Sequence, residues 1–253
     1  MPVPIKFFDP ENCRPYACFL IIGQRNTGKS TMLRDLLCKT QKTTDIALAI
    51  TKSRSSQLMF ETMIPSFLVH NEGYDAAIMS NFINTLERLA LQNRMKRGTL
   101  ITDDLMVEPE FQKNKEFVKG ALNGRQFGYS SFNTTQHAMM VPPQIRGNVD
   151  YIISMYESQR DKKEKLFKHF FGVFPNFAAF DRVFTECTKN FGALVLDTSL
   201  ATGSMHDQIS YYRASPNITP IRIGRALLFA YDKRYKMLKK EYDAKHADST
   251  LLV

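Results

Sequence analysis

The sequence predicts an α/β fold in which a mostly parallel central sheet is flanked by helices. Short apolar segments that suit buried parallel strands alternate along the chain with longer amphipathic segments that suit helices. The chain has 253 residues and is 43% hydrophobic, which is enough to bury the core of such a fold. We therefore expect a single domain over residues 1–253, with a core at about 16–214 and a basic C-terminal extension at about 215–253.

The predicted elements follow one another in a regular order. After a proline-containing lead-in, residues 16–23 predict a buried strand and residues 29–39 a helix. The further predicted strands cover residues 45–50, 67–70, 99–102, 130–136 and 150–156, and a C-terminal β-hairpin pairs 193–197 with 208–214. The further predicted helices cover residues 75–97, 110–123, 160–172 and 174–188, with a turn of helix in 141–148 and a basic helix at 225–246.

The charge, the cysteine content and the length of the apolar segments limit which binding partners and which cellular compartment this protein can have. With 34 basic and 25 acidic residues the formal net charge is +9, which favours polyanions such as nucleic acid, although many basic proteins bind no anion. The cysteines lack the paired spacing of a zinc site and are too few for a disulfide scaffold, so we expect a reducing compartment. No apolar segment is long enough to span a bilayer, which predicts a soluble, intracellular protein.

One motif predicts a phosphate-binding loop. The segment GQRNTGKST matches G-x-x-x-x-G-K-[ST] and stands between a predicted strand and a predicted helix, the context that the motif requires. Glycines let the backbone wrap a phosphate closely, Lys29 reaches the terminal phosphates and the Ser30 hydroxyl ligates Mg²⁺. We therefore expect ATP and Mg²⁺ as ligands, with the nucleotide held by Gly23, Gln24, Arg25, Asn26, Thr27, Gly28, Lys29, Ser30 and Thr31.

Two adjacent carboxylates, Asp103 and Asp104, end the predicted strand in the segment RGTLITDDLM. Like charges at the end of a buried strand are costly unless a cation, a proton or hydrogen bonds compensate them. We expect Asp103 to hold Mg²⁺ directly or through water, and Asp104 to orient or deprotonate the water that attacks the terminal phosphate. The alternative for this pair is a cap for the segment that follows.

Three further residues are candidates for the same chemistry. Gln136 ends the predicted strand 130–136, where its amide can reach the γ-phosphate or the attacking water; the alternative is a solvent-exposed strand end. Hydrolysis also needs positive charge at the leaving γ-phosphate, which an arginine of a neighbouring subunit can supply. The candidates for this trans-acting arginine are Arg146 and Arg125, and the alternative for each is a surface ion pair.

Taken in order, these segments resemble the genome-packaging ATPases of large DNA viruses, the A32-like branch of the FtsK/HerA superfamily. The resemblance covers residues 16–214 and rests on IIGQRNTGKSTML, GTLITDDLM, NGRQFGYSSFNTTQH, VPPQIRGNVDYII and FPNFAAFDRVFTECTKNFGALVLDTS followed by ISYYRA. It implies a P-loop NTPase with a RecA/FtsK-like sheet, a Mg²⁺-dependent ATPase that assembles as a homo-oligomeric ring and translocates double-stranded DNA, irrespective of sequence, into a capsid.

The resemblance also implies residue roles, partners and a location. Carried over by position, Lys29 and Ser30 bind phosphates and Mg²⁺, Asp103 and Asp104 form the Walker-B pair, Gln136 is the sensor, and Arg146, ahead of Arg125, is the trans-acting finger. The implied partners besides DNA are capsid or portal-vertex proteins. The implied location is the host cytoplasm, in virus factories, and the virion.

The basic C-terminal segment leaves its role open. Residues 222–245 contain eight basic and three acidic side chains. A helix that faces DNA, one that docks on a capsid protein and an ordinary solvated terminal helix all have this composition.

Three alternative functions are also compatible with parts of this sequence. A P-loop helicase or recombinase-like ATPase acting on single-stranded nucleic acid would share the catalytic residues. A GTPase is less well supported because no N-K-x-D segment is present, and the nearest match, TKSR at 51–54, lacks the aspartate. A non-enzymatic basic scaffold with a decayed loop is disfavoured by the intact Lys29, Ser30 and Asp103.

Overall fold

The computed structural model describes residues 5–200 and 204–247, except for the side chains of residues 239 and 243–247, and the described chain forms one continuous nine-stranded sheet. The strands are β1 (Lys6–Phe7), β2 (Cys18–Ile22), β3 (Ile46–Thr51), β4 (Val69–His70), β5 (Gly98–Asp103), β6 (Tyr129–Thr135), β7 (Tyr151–Met155), β8 (Gly192–Asp197) and β9 (Ile209–Arg213). Their order across the sheet is β1-β9-β8-β7-β2-β6-β5-β3-β4. Only β8 runs antiparallel to its neighbours among these strands, which confirms the predicted mostly parallel sheet.

Helices cover both faces of the sheet, as the sequence predicts. They are α1 (Lys29–Thr40), α2 (Arg54–Glu61), α3 (Ala76–Leu91), α4 (Pro109–Gln112), α5 (Lys115–Phe127), α6 (Pro143–Arg146), α7 (Arg160–His169), α8 (Phe177–Cys187), α9 (Met205–Gln208) and α10 (Ala226–Ala247). Apolar side chains of α3, α5, α7 and α8 form one buried cluster with the sheet, and those of α1 and α2 form a second. Two clusters on opposite faces explain why the central strands are apolar on both sides.

Strand β2 is fixed at the centre of the sheet by burial of both of its faces. Leu20 and Ile22 belong to one apolar cluster, while Phe19 and Ile21 belong to the other. The Phe19 ring stacks on residues of both neighbouring strands, with ring centres 4.5 Å from Phe132 and 5.0 Å from Tyr151. Because a shift by one residue would exchange the two faces, this packing sets the register of β2 against β6 and β7.

Several element boundaries differ from the predictions. The helix predicted at 75–97 ends at Leu91, and Asn93 takes a left-handed conformation with φ 56° before β5 begins. The helix predicted at 110–123 is interrupted between α4 and α5, where the Asn114 side chain caps α5 by accepting a hydrogen bond from the Phe117 N–H at 2.6 Å. In the predicted strand 67–70 only Val69 and His70 pair with β3.

Three of the named helices and strands were not predicted: α2, β1 and the four-residue helix α9 between the strands of the predicted hairpin. Helix α2 begins after Ser53, whose side chain accepts a hydrogen bond from the Ser56 N–H. Strand β1 lies in the lead-in and pairs in parallel with β9, as residues Lys6 and Phe7 face Ser210 and Tyr211. An element of two residues has too short a pattern for its periodicity to be recognised.

The predicted hairpin and basic helix are both present. Strands β8 and β9 pair antiparallel, although residues 201–203 of their connection lie outside the described residues. Asp232 anchors α10 to the loop before β4, since it accepts hydrogen bonds from the Ser66 N–H at 2.8 Å and the Ser66 hydroxyl at 2.6 Å. Lys233, Arg234 and Lys240 are exposed on α10, whereas the side chains of the predicted basic residues 239 and 245 lie outside the described part.

The structure also bears on the cysteines and on membrane insertion. The thiols Cys13, Cys18, Cys38 and Cys187 are free, and burial raises the pKa of Cys18 to about 12 and that of Cys187 to about 11. Such thiols stay protonated near neutral pH and are poor nucleophiles.

Within residues 5–200 and 204–247, every helix is too short or too polar to cross a lipid bilayer.

Candidate nucleotide-binding site

The predicted phosphate-binding loop lies between the end of β2 and the start of α1. Asn26 and Gly28 adopt left-handed backbone conformations, with φ 63° and 91°, and turn the chain back toward the helix. A Cβ atom at Gly23 would lie 2.7 Å from the Thr27 hydroxyl, so glycine is required there. Because Gly28 is the N-cap of α1, no side chain at that position caps the first helical N–H groups. These N–H groups and the helix dipole form an anion-binding site.

Asp103, the last residue of β5, is held by hydroxyl groups of both neighbouring strands. Its carboxylate accepts a hydrogen bond from the Thr134 hydroxyl at 2.7 Å and another from the Thr51 hydroxyl at 3.0 Å. Thr51, Asp103 and Thr134 are direct register partners across β3, β5 and β6. The side chain is buried, with the residue 6% exposed, so these hydroxyls compensate for its lost hydration.

Asp104 leaves the strand in a left-handed conformation with φ 56°, which directs its carboxylate toward the loop. One oxygen lies 2.5 Å from the Lys29 ammonium, and the other accepts a hydrogen bond from the Gln136 amide at 2.9 Å. Asp104 precedes a short 3₁₀ turn, but its side chain makes no capping hydrogen bond to that turn. The carboxylate therefore links the loop lysine to the predicted sensor instead of capping the next segment.

Strand order explains how four predicted residues meet. Strand β6 lies between β2 and β5, and all three strands are parallel, so their carboxyl ends share one edge of the sheet. Lys29 follows β2, Asp103 and Asp104 end β5, and Gln136 follows β6. This edge is where α/β sheets bind their ligands.

A buried glutamate that the sequence analysis did not identify positions the loop. Glu157, two residues after β7, is 6% exposed and accepts both hydrogen bonds from the Gln24 amide, at 2.6 and 2.8 Å. The Gln24 carbonyl in turn accepts a hydrogen bond from the Thr27 hydroxyl at 2.8 Å. The side chain of Arg25 is exposed, and so is Ser30 in the first turn of α1. Glu157 therefore holds the loop from β7, and a lone glutamate after a strand carries no sequence signal for this role.

The residues present fit Mg²⁺ held together with a nucleotide. Among the described residues, no group of three or more histidine, cysteine, aspartate and glutamate side chains could hold a metal ion without other ligands. Mg²⁺ in nucleotide sites typically uses one or two protein oxygens and completes its shell with phosphates and water. The exposed Ser30 hydroxyl and the Asp103 carboxylate supply oxygens of this kind at one edge of the sheet.

Within the described part of the chain, neither candidate arginine forms a hydrogen bond or an ion pair with Lys29, Asp103, Asp104 or Gln136. Arg125 of α5 forms an ion pair with Asp150, which is 4% exposed and also accepts a hydrogen bond from the Cys18 N–H at 2.8 Å. These residues precede β7 and begin β2, so they lie at the opposite edge of the sheet from the loop. Arg125 therefore has a structural partner.

Arg146 ends α6 and is partly buried. Its Nε donates a hydrogen bond to the Val141 carbonyl at 2.7 Å, and its guanidinium lies 5.9 Å from the centre of the Phe170 ring. Burial lowers the pKa of the Arg146 side chain from its ordinary value. Arg146 forms no ion pair with any carboxylate of the described residues, so none of them neutralises its charge.

Sequence comparison relates the chain to proteins of large DNA viruses. No family model matches. The uncharacterized protein 088R of Invertebrate iridescent virus 3 is 28% identical over 214 residues, which cover 84% of this chain and 80% of that protein. The uncharacterized protein 075L of Invertebrate iridescent virus 6 is 25% identical over 231 residues, 90% of this chain and 87% of that protein.

Structural comparison decides the fold. The genome packaging NTPase B204 from Sulfolobus turreted icosahedral virus 2, solved in complex with AMP, matches 80% of this chain and 100% of its own, with a TM-score of 0.54 and 15% identity. The chain has the fold of the viral genome-packaging NTPases. EssC ATPases 2 and 3 from Geobacillus thermodenitrificans match over 96% of this chain and 52% of their own, with a TM-score of 0.57 and 13% identity.

Proposed function

We propose that this protein is an ATP-hydrolysing motor that translocates double-stranded DNA into a viral capsid. The observation that carries the proposal is the contact of Lys29 with Asp104, and of Asp104 with Gln136, beside Asp103 and the start of α1. A phosphate-binding loop, a strand-end carboxylate pair and a neighbouring amide are the groups that phosphoryl transfer to water requires. The shared fold with viral packaging NTPases and the viral relatives support the packaging role.

The chemistry follows from where these groups lie. The N–H groups at the start of α1 and the Lys29 ammonium bind the phosphates, which replace Asp104 as the partner of Lys29. Asp104 is then free to accept a proton from the attacking water, which Gln136 orients through its amide. Ser30 and Asp103 would hold Mg²⁺, which neutralises charge on the phosphate oxygens when bound.

The partners follow from charge and from the demands of the reaction. A net charge of +9 and the exposed basic residues of α10 suit contact with DNA phosphates irrespective of base sequence. We further propose a homo-oligomeric ring, so that a neighbour supplies the missing arginine, and docking on capsid or portal-vertex proteins. Hydrolysis would then take place in the virus factories of the host cytoplasm and at the assembling virion.

Duplex DNA is expected to stimulate ATP hydrolysis, and the stimulation is expected to fade as salt rises, because phosphate contacts release counterions. The measurement is steady-state phosphate release without DNA, with linear duplex and with single-stranded DNA, at low and moderate salt. A Lys29→Ala preparation measures contaminating activity. Stimulation by single strands alone would favour the helicase or recombinase-like alternative, and no hydrolysis under any of these conditions would contradict the proposal.

Arg146→Ala subunits are expected to be inactive alone and to regain hydrolysis when mixed with Lys29→Ala subunits. In the mixture some interfaces pair an intact loop with an intact arginine. Phosphate release across a series of mixing ratios measures this recovery.

Arg125→Ala is the matched comparison for Arg146→Ala. It is expected to lower the free energy of unfolding by about 1–2 kcal/mol, because the buried Asp150 carboxylate loses its cationic partner. It is expected to stay active without mixing. Recovery by Arg125→Ala and not by Arg146→Ala would assign the finger to Arg125.

A further inference from the structure

A strained turn carries an exposed aromatic side chain next to the phosphate-binding loop. Asn190 and Phe191 precede β8 and adopt successive left-handed conformations, with φ 50° and 61°. This conformation is unfavourable for residues with a Cβ atom and especially for a bulky one. The Phe191 side chain nevertheless points to solvent, as the residue is 66% exposed. Strain of this kind persists mainly where it positions a functional group.

The turn lies at the same edge of the sheet as the loop. Strand β8 runs antiparallel to β7, and its second residue, Ala193, faces Met155 at the carboxyl end of β7. A Cβ atom built at Gly28 would lie 3.3 Å from Cδ1 of Phe191 and 3.5 Å from Cε of Met155. The exposed Phe191 ring, with the buried Met155 side chain also against Gly28, therefore forms an apolar wall beside the last glycine of the loop.

The apolar wall lies on a different side of the loop from the catalytic groups. Asp103 and Gln136 come from β5 and β6, on one side of β2, while Phe191 and Met155 come from β8 and β7 on the other. A nucleotide has the same two-part character, with charged phosphates at one end and a flat apolar base at the other. A base on the side of Phe191 would leave the phosphates within reach of Lys29 and the start of α1.

We propose that Phe191 is the platform on which the adenine base of the bound nucleotide stacks. This inference rests on the proposed ATP-binding function of the loop. An exposed phenyl ring presents a flat apolar face on which a base can stack, and few side-chain torsions lose freedom when it does so. Stacking on an aromatic face tolerates any purine, so this contact adds affinity with little discrimination between ATP and GTP.

The test distinguishes the contribution of the base to nucleotide binding from that of the phosphates. Calorimetric titration compares ATPγS with tripolyphosphate, which has no base, on the wild type, Phe191→Ala and Phe191→Tyr. Phe191→Ala is expected to weaken ATPγS binding about 5- to 150-fold, the range for losing one stacked base, and to leave tripolyphosphate binding unaltered. Phe191→Tyr is expected to bind ATPγS as the wild type does. Leu91→Ala, at the 79% exposed end of α3, is the control for removing an exposed apolar side chain.

Each other outcome is decisive. Wild-type ATPγS affinity in Phe191→Ala would overturn the stacking role while leaving the loop as the phosphate site. An equal loss of ATPγS and tripolyphosphate would also overturn it, because the turn would then only shape the loop. A wild-type protein that binds neither ligand would overturn the proposed function and this inference together.

Discussion

Lys29→Ala is expected to lower ATP hydrolysis about 100- to 1,000-fold, the effect typical of removing one group that stabilises transition-state charge. Lys29 begins α1, is 10% exposed in its side chain and is the cation in contact with Asp104. Its loss removes the positive charge that would meet the terminal phosphates. Steady-state phosphate release measures the effect, and thermal unfolding checks the fold.

The fold is expected to survive this change. Asp104 is 34% exposed in its side chain and keeps its hydrogen bond to Gln136, so no buried charge is left without a partner. Lys42→Ala is a matched control, because Lys42 also pairs with a carboxylate, that of Glu11, but is 56% exposed in its side chain and precedes β3. Wild-type turnover in Lys29→Ala would refute the assignment of the site to this loop.

Asp103→Asn is expected to reduce Mg²⁺-dependent hydrolysis about 100-fold or more while changing the melting temperature little. Asparagine has the same shape as aspartate. The asparagine side-chain oxygen can accept a hydrogen bond from one of the two threonine hydroxyls, and the side-chain NH₂ group can donate a hydrogen bond to the other. What disappears is the negative charge that a Mg²⁺ ion needs. Phosphate release over a Mg²⁺ titration and a thermal melt measure the two effects.

The control for this change is Asp161→Asn, since the Asp161 side chain is 65% exposed and pairs only loosely with Lys165, at 3.7 Å. It is expected to leave hydrolysis and its Mg²⁺ requirement unaltered. If Asp103→Asn keeps wild-type activity and Mg²⁺ dependence but melts much earlier, Asp103 serves the fold through Thr51 and Thr134 and does not hold the metal.

Much of the candidate site was predictable because its residues stand at the ends of predicted parallel strands. The motif around Lys29 needs only a strand, a loop and a helix, which are local features of the chain. Asp103, Asp104 and Gln136 were recognised because polar groups after buried strands meet at one edge of a sheet. The contact of Asp104 with both Lys29 and Gln136 was not predicted, since it requires the left-handed turn at Asp104.

Other groups at this edge had no signal strong enough to identify them. Thr51 and Thr134 could have been found as polar residues ending their strands, but only the register of β3, β5 and β6 shows that both hydroxyls reach one carboxylate. Glu157 lies outside the segments on which the resemblance rests, and Phe191 lies within one of them but had no role assigned to it. Glu157 is important because it contacts the Gln24 amide, and Phe191 because it lies against the Gly28 backbone. In each pair the two residues are more than 130 positions apart in the sequence.

The sequence by itself determined the alternation of strands and helices, the phosphate-binding loop and the carboxylate pair. These features depend on hydrophobic periodicity and on the backbone freedom of glycine, which act over a few residues. The tertiary structure alone decided that β6 separates β2 from β5 and that β8 returns antiparallel beside β7. Strand order depends on how both faces of the whole sheet are buried, and this non-local packing brings Gln136 to Asp104 and Phe191 to the loop.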